Sequence, residues 1–188
     1  MRPFYGLILL ASLFLMATAP VWGQTLESEF LGLSWGADIR NQKGYQLLYE
    51  KGDLRFYIQP DTARTVKGFQ IARVIYGTQQ HRFYAAFLLI DAMETFDDIK
   101  AYMEKRYGFP KVSWSAAGDQ TTYRWKYKTI RMKLKFNQQD RRMKLAFYFM
   151  PIAKEVNEKE AEAHQQKSLQ LLPIERDKKP ESMPLLVF

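Results

Sequence analysis

Between Thr122 and Ala146 the chain carries nine Lys or Arg residues against a single acid, Asp140. Arg124 and Lys126, then Arg131, Lys133 and Lys135, then Arg142 and Lys144 recur at every second position. On an extended backbone that spacing collects each set on one face, because successive side chains of a strand point to opposite sides. A row of cations of this kind can hold a phosphate or carboxylate through charge-assisted hydrogen bonds. It can equally be a solvated face whose lysines discourage edge-to-edge pairing. In either case the chemistry is recognition, and no catalytic residue is assigned to it.

Signals for bond-making chemistry are thinner. Gly32-Leu33-Ser34-Trp35-Gly36 has the form G-x-S-x-G, which activates a serine only on a strand-to-helix turn followed by an acid and a His. The segment before it does not read as a buried strand, and His81 and His164 fall in a hairpin and a polar helix. Ser34 as a hydrolase nucleophile is therefore the remote alternative. The expectation is a tight turn opening a short helix over residues 37–42, with Trp35 in the core. There is no cysteine, so neither a disulfide nor a lipidated cysteine can form. No His and acid residues stand at metal-ligand spacing, and no Gly-rich phosphate loop or dinucleotide fingerprint occurs. No metal or cofactor is expected.

The elements that must position the cations follow from periodicity. Tyr123, Trp125 and Tyr127 alternate with Arg124, Lys126 and Lys128. Ile130, Met132, Leu134 and Phe136 alternate with Arg131, Lys133 and Lys135. Met143, Leu145, Phe147 and Phe149 complete a third strand. This predicts an antiparallel meander with aromatics in the core and cations in water. Turns at Lys128-Thr129 and Gln138-Gln139 would set Lys126 opposite Arg131, Arg124 opposite Lys133, Lys133 opposite Lys144 and Lys135 opposite Arg142.

Ahead of the meander, Phe96, Ile99, Met103 and Tyr107 form the buried stripe of a helix over residues 95–107. Thr95 and Asp98 offer a capping box, and Gly108 with Pro110 provides the stop. Strands are expected at residues 45–50 and 54–59 across a Lys51-Gly52-Asp53 turn, and at 69–76 and 83–90 across a loop at 77–81. The fold class is α+β: an antiparallel meander sheet with one long capped helix and a short N-terminal helix on one face. Two similar halves, each a helix with about three strands, are conceivable.

Residues 1–23 have the n-region, apolar h-region and small Val21/Gly23 pair of a secretory signal peptide, with cleavage near Gly23. The reading is an exported, periplasmic or secreted protein whose α+β domain covers residues 24–150. A polar helix over 151–172 and a disordered tail over 173–188 follow. Glu155, Glu158, Glu160 and Glu162 of that helix could fold back and neutralise the cationic face. The apolar tip at residues 185–188 could dock on a partner.

The combination of Gly32-Leu33-Ser34-Trp35-Gly36, Tyr107-Gly108-Phe109-Pro110 and Tyr123-Arg124-Trp125 resembles that of small exported bacterial proteins. It is more distantly similar to the α+β modules of β-lactamase-inhibitor proteins and outer-membrane assembly lipoproteins. The resemblance covers about residues 30–150 and implies a binding or assembly role, with no active site to carry over. The chain departs from the lipoproteins in lacking their lipidated cysteine. The expected function is a non-enzymatic exported binding module whose cationic face meets an anionic lipid, a lipopolysaccharide or an acidic protein, with peripheral membrane contact and no nucleic acid. The alternative is a protein–protein assembly or inhibitor module using loops and the C-terminal segment.

Overall fold

The computed structural model describes residues 26–60 and 65–171. The signal-peptide reading of residues 1–23 and the tail at 173–188 lie outside them. A helical turn at 26–28 leads into a two-stranded ribbon, β1 (Glu29–Phe30) and β2 (Leu33–Ser34), and then one 3-10 turn at Ile39–Asn41. Next come β3 (Gln46–Lys51), β4 (Leu54–Ile58), a small ribbon of β5 (Thr65–Val66) and β6 (Phe69–Gln70), then β7 (Arg73–Gln79) and β8 (Arg82–Ile90). Helix α1 (Met93–Tyr107) precedes β9 (Lys111–Trp114), β10 (Gln120–Tyr127), β11 (Ile130–Asn137) and β12 (Met143–Phe149). Helix α2 (Met150–Leu171) ends the series.

Eight of these strands make one antiparallel sheet in the order β3-β4-β7-β8-β12-β11-β10-β9. It is two four-stranded meanders set back to back, sealed where β8 pairs with β12. A helical segment precedes each meander: the 3-10 turn before β3 and α1 before β9. The expected α+β architecture with an antiparallel sheet is what forms. The strands at 45–50 and 54–59 are found as β3 and β4, turning at Gly52.

The sheet is twofold in character because its strands alternate. Leu134, Leu145, Leu88 and Phe147 face the side on which α1 lies, and Phe96, Ile99 and Met103 of α1 are buried with them. Trp125 is 4% exposed in this core, and its indole Nε1–H donates to the Gly108 carbonyl at 2.8 Å. Gly108 adopts φ +81° just past the helix, where its N–H caps the Glu104 carbonyl. The helix stop is therefore tied directly to the sheet.

Several expectations are corrected. The helix opens at Met93 with Ala92 at the N-cap and no side-chain cap, so Thr95 and Asp98 lie within the helix and form no capping box. Only two residues separate the end of β8 from α1, and that tight connection starts the helix before the capping signal. The loop expected at 77–81 shrinks to Gln80-His81, whose positive φ angles suit a two-residue hairpin turn. Gly77 instead sits inside β7 at a bulge, where a Cβ would come within 3.3 Å of the Phe87 ring. The helix expected at 37–42 is only the 3-10 turn. Pro151 does not end a strand: it lies in the first turn of α2, where its missing N–H would have had no helical partner.

Candidate anion-binding face

Arg124, Lys126, Arg131, Lys133, Lys135 and Lys144 share the sheet face opposite α1, and strand register makes them neighbours. Lys126 lies opposite Arg131 and Arg124 opposite Lys133, as the two-residue turn at Lys128-Thr129 requires. The next join is longer than expected. Asn137 N–H bonds the Arg142 carbonyl at 3.0 Å, and Asp140 accepts from the Arg142 N–H at 3.1 Å. Pairing therefore resumes at Phe136 with Met143, which puts Lys133 opposite Ala146 and Lys135 opposite Lys144. The shift of two residues leaves every side chain on its expected face, since the pleat repeats every two.

Arg142 leaves the set through the same shift. It precedes β12, its side chain is 85% exposed, and it pairs with Asp140 at 3.2 Å. Lys111 enters instead, because β9 places it opposite Arg124. The edge strand was missed because its four residues follow Pro110 without a long alternating run. Its one signal is the brief alternation of Val112 and Trp114 with Lys111 and Ser113. The result is a row of Lys111, Arg124 and Lys133 running across three strands.

None of Arg124, Lys126, Arg131, Lys133, Lys135 and Lys144 has a carboxylate within 4 Å among the described residues. Their contacts are weaker ones. Arg124 bonds the Ser113 hydroxyl, Lys135 reaches Gln120 at 3.4 Å, and Lys133 lies 5.1 Å over the Tyr148 ring. Lys144 lies 5.4 Å over Phe87. Burial, and then the charges of Lys135, Arg124, Arg131 and Lys144, push the Lys133 ammonium below the ordinary lysine range. Burial and then Lys135 do the same to Lys144.

Helix α2 lies on this face but does not neutralise it through Glu155, which pairs with Arg82 at 2.6 Å. Glu158 is exposed, and the side chains of Glu160 and Glu162 lie outside the described residues. Ile152, Ala153 and Val156 hold the helix on Tyr84 and Ala85 of β8. Beyond β12 the face changes character: Lys133, Ala146 and Phe87 form one cross-strand row, and Arg131, Tyr148 and Ala85 another. Phe56 of β4 and Tyr49 of β3, their rings stacked at 4.3 Å, continue it. Half of the face is thus cationic and half is aromatic.

The residues with catalytic potential are placed apart from this face. Ser34 ends the two-residue strand β2 and is exposed, and a turn follows it, so the strand-to-helix elbow is not formed. Gly36 N–H bonds the Phe83 carbonyl at 2.8 Å, and Trp35 stacks on Phe83 with ring centroids 4.6 Å apart. The motif builds a turn that packs Trp35, partly buried, against the core. His81 has its ring nitrogens against the Arg55 guanidinium, at 3.1 and 3.2 Å. Among the described residues no group of three or more His or acid residues could hold a metal, and no helix is long and apolar enough to cross a membrane. Comparison with protein-family models, curated proteins and solved structures finds no match to this chain.

Proposed function

We propose that this chain is an exported, non-enzymatic binding module whose cationic sheet face engages an anionic component of the cell envelope. The observation that carries the reading is the set of six cations on neighbouring strands with no carboxylate within 4 Å among the described residues. Like charges placed directly across strands cost stability, about 0.2–1 kcal/mol per pair. A bound phosphate or carboxylate would relieve that repulsion and the desolvation already felt by Lys133 and Lys144. Lipid headgroups, lipopolysaccharide phosphates and acidic protein segments all present such groups. Export follows from the n-region, h-region and Val21/Gly23 pattern at the start of the chain.

The test is a double reversal, Arg124→Glu with Lys126→Glu. Position 124 faces Lys133 and Lys111 and position 126 faces Arg131, so the sheet exchanges three repulsive pairs for three attractive ones. The melting temperature should hold or rise. Retention on anionic vesicles at physiological salt should fall to the level seen on neutral vesicles. A double variant retained as well as the parent would reduce the face to a solubilising surface.

A second reading, a protein–protein assembly or inhibitor module, draws support from the edge beside β9. Phe109 is 94% exposed and Trp114 69% exposed, an arrangement that suits a protein contact. Salt separates the two: charge-driven binding weakens steeply as ionic strength rises, whereas an apolar contact changes little.

A further inference from the structure

Where the cationic and aromatic halves of the sheet face meet, a cleft of about 280 Å³ opens between the sheet and the first turns of α2. Phe56, Phe87 and Tyr148 contribute its aromatic surface, and Ala153 and Val156 of α2 form one wall. Lys51, Arg131 and Lys133 also line it, and among the described residues no carboxylate does. A helix–sheet seam that serves packing alone is filled by interdigitating apolar side chains. This one leaves space, and three cations converge on it.

Each part of the lining asks for something different. The aromatic surface gains from an apolar occupant that displaces water. Arg131 and Lys133 lack a carboxylate partner among the described residues and gain from an anion. The Tyr148 hydroxyl bonds no described residue, and Tyr148 lies directly opposite Arg131 in the register. A phenol there can donate to the same anion. One molecule with an acidic head and an apolar tail satisfies all of these at once. Ligand pockets commonly span about 300–1,000 Å³, so a cleft at the lower bound takes one chain and not a two-chain lipid.

We propose that the cleft binds a single-chain anionic amphiphile, with its carboxylate or phosphate at Arg131 and Lys133 and its chain along Phe56, Phe87 and Tyr148. This rests on the anion-binding reading of the face and narrows it to a ligand class. The cationic row supplies the approach and the cleft the specificity, because a bare anion leaves the aromatic surface wet and a neutral chain gives Arg131 and Lys133 no counter-charge.

The proposal is tested by calorimetric titration of the purified protein with dodecanoate, dodecylammonium and inorganic phosphate. Asn157 lines the mouth of the cleft from an exposed position on α2, so Asn157→Trp blocks it without touching the cations. Tyr49→Ala, on the exposed edge strand β3, strips apolar lining at little risk to the fold and stands in should the Trp variant not fold. Saturable binding of dodecanoate is expected, with dodecylammonium and phosphate at least about tenfold weaker. Asn157→Trp, Tyr49→Ala and Lys133→Gln should each weaken dodecanoate by about tenfold or more. Absence of saturable dodecanoate binding, or undiminished binding in the blocked variants, overturns the proposal. Vesicle retention keeps the two readings distinct. Retention without dodecanoate binding refutes the cleft and leaves the cationic face standing, while loss of both removes the two together.

Discussion

Trp125 shows how one side chain can connect two elements. Its ring is buried in the core between sheet and helix, and its Nε1–H fixes the Gly108 carbonyl at the end of α1. Truncation and isosteric replacement therefore report different things. Trp125→Ala should cost about 3–5 kcal/mol, the usual range for emptying a buried aromatic site. Trp125→Phe keeps much of the volume but removes the donor from the Gly108 carbonyl; Gly108 is exposed, so water takes the donor's place and the added cost is about 0.5–1.5 kcal/mol. Denaturant midpoints of the three proteins should fall in the order parent, Phe, Ala. An Ala variant as stable as the parent would mean that the ring is not in the core. Ser34 teaches the opposite lesson: a motif with catalytic form is here a turn, because its neighbour Trp35 is what the fold uses.

At the level of the element, β10, β11 and β12 carry their charges as a ladder, and the ladder titrates. Lys133 and Lys144 both have pKa values below the ordinary lysine value of 10.5 in the folded protein, through burial first and neighbouring cations second. Between the folded and unfolded values the unfolded chain binds more protons, so stability rises with pH in that interval. The buried tyrosines act with the opposite sign above their ordinary value of 10.0, since burial raises Tyr148 and Tyr107. Urea midpoints should therefore rise as the pH approaches about 10 and decline beyond it. Lys133→Met with Lys144→Met should flatten the rising limb. A rising limb of the same slope in that double variant would place its origin elsewhere.

For the whole molecule, the decisive junction is β8 against β12. It merges two meanders that could have been separate layers into one sheet. Trp35 reaches across the same junction, stacking on Phe83 of β8 and on Phe149 of β12. A single core spans both halves, from Tyr57 and Tyr76 on one side to Trp125 and Leu134 on the other. Unfolding should accordingly be one cooperative transition, with far-ultraviolet circular dichroism and tryptophan fluorescence superimposing along the denaturant axis. Two separated transitions would show the meanders to be independent units.

Local order in this chain was legible because its signals repeat over several residues. Alternation over 123–127, 130–136 and 143–149 determines which side chains share a face, and that survives any shift of register by two. The stripe at Phe96, Ile99 and Met103 with the stop at Gly108 likewise places α1 to within two residues of its start. The tertiary structure alone decided what meets what. The longer loop at 138–142 removed Arg142 from the cationic row and moved Lys133 from Lys144 to Ala146. The four residues of β9 brought in Lys111, and the pairing of β8 with β12 set aromatic rings beside the cations. Turn length, edge pairing and the junction between halves depend on contacts between residues far apart in the chain, and no local period encodes those. The cleft under α2 is a product of the junction, since residues from both meanders line it.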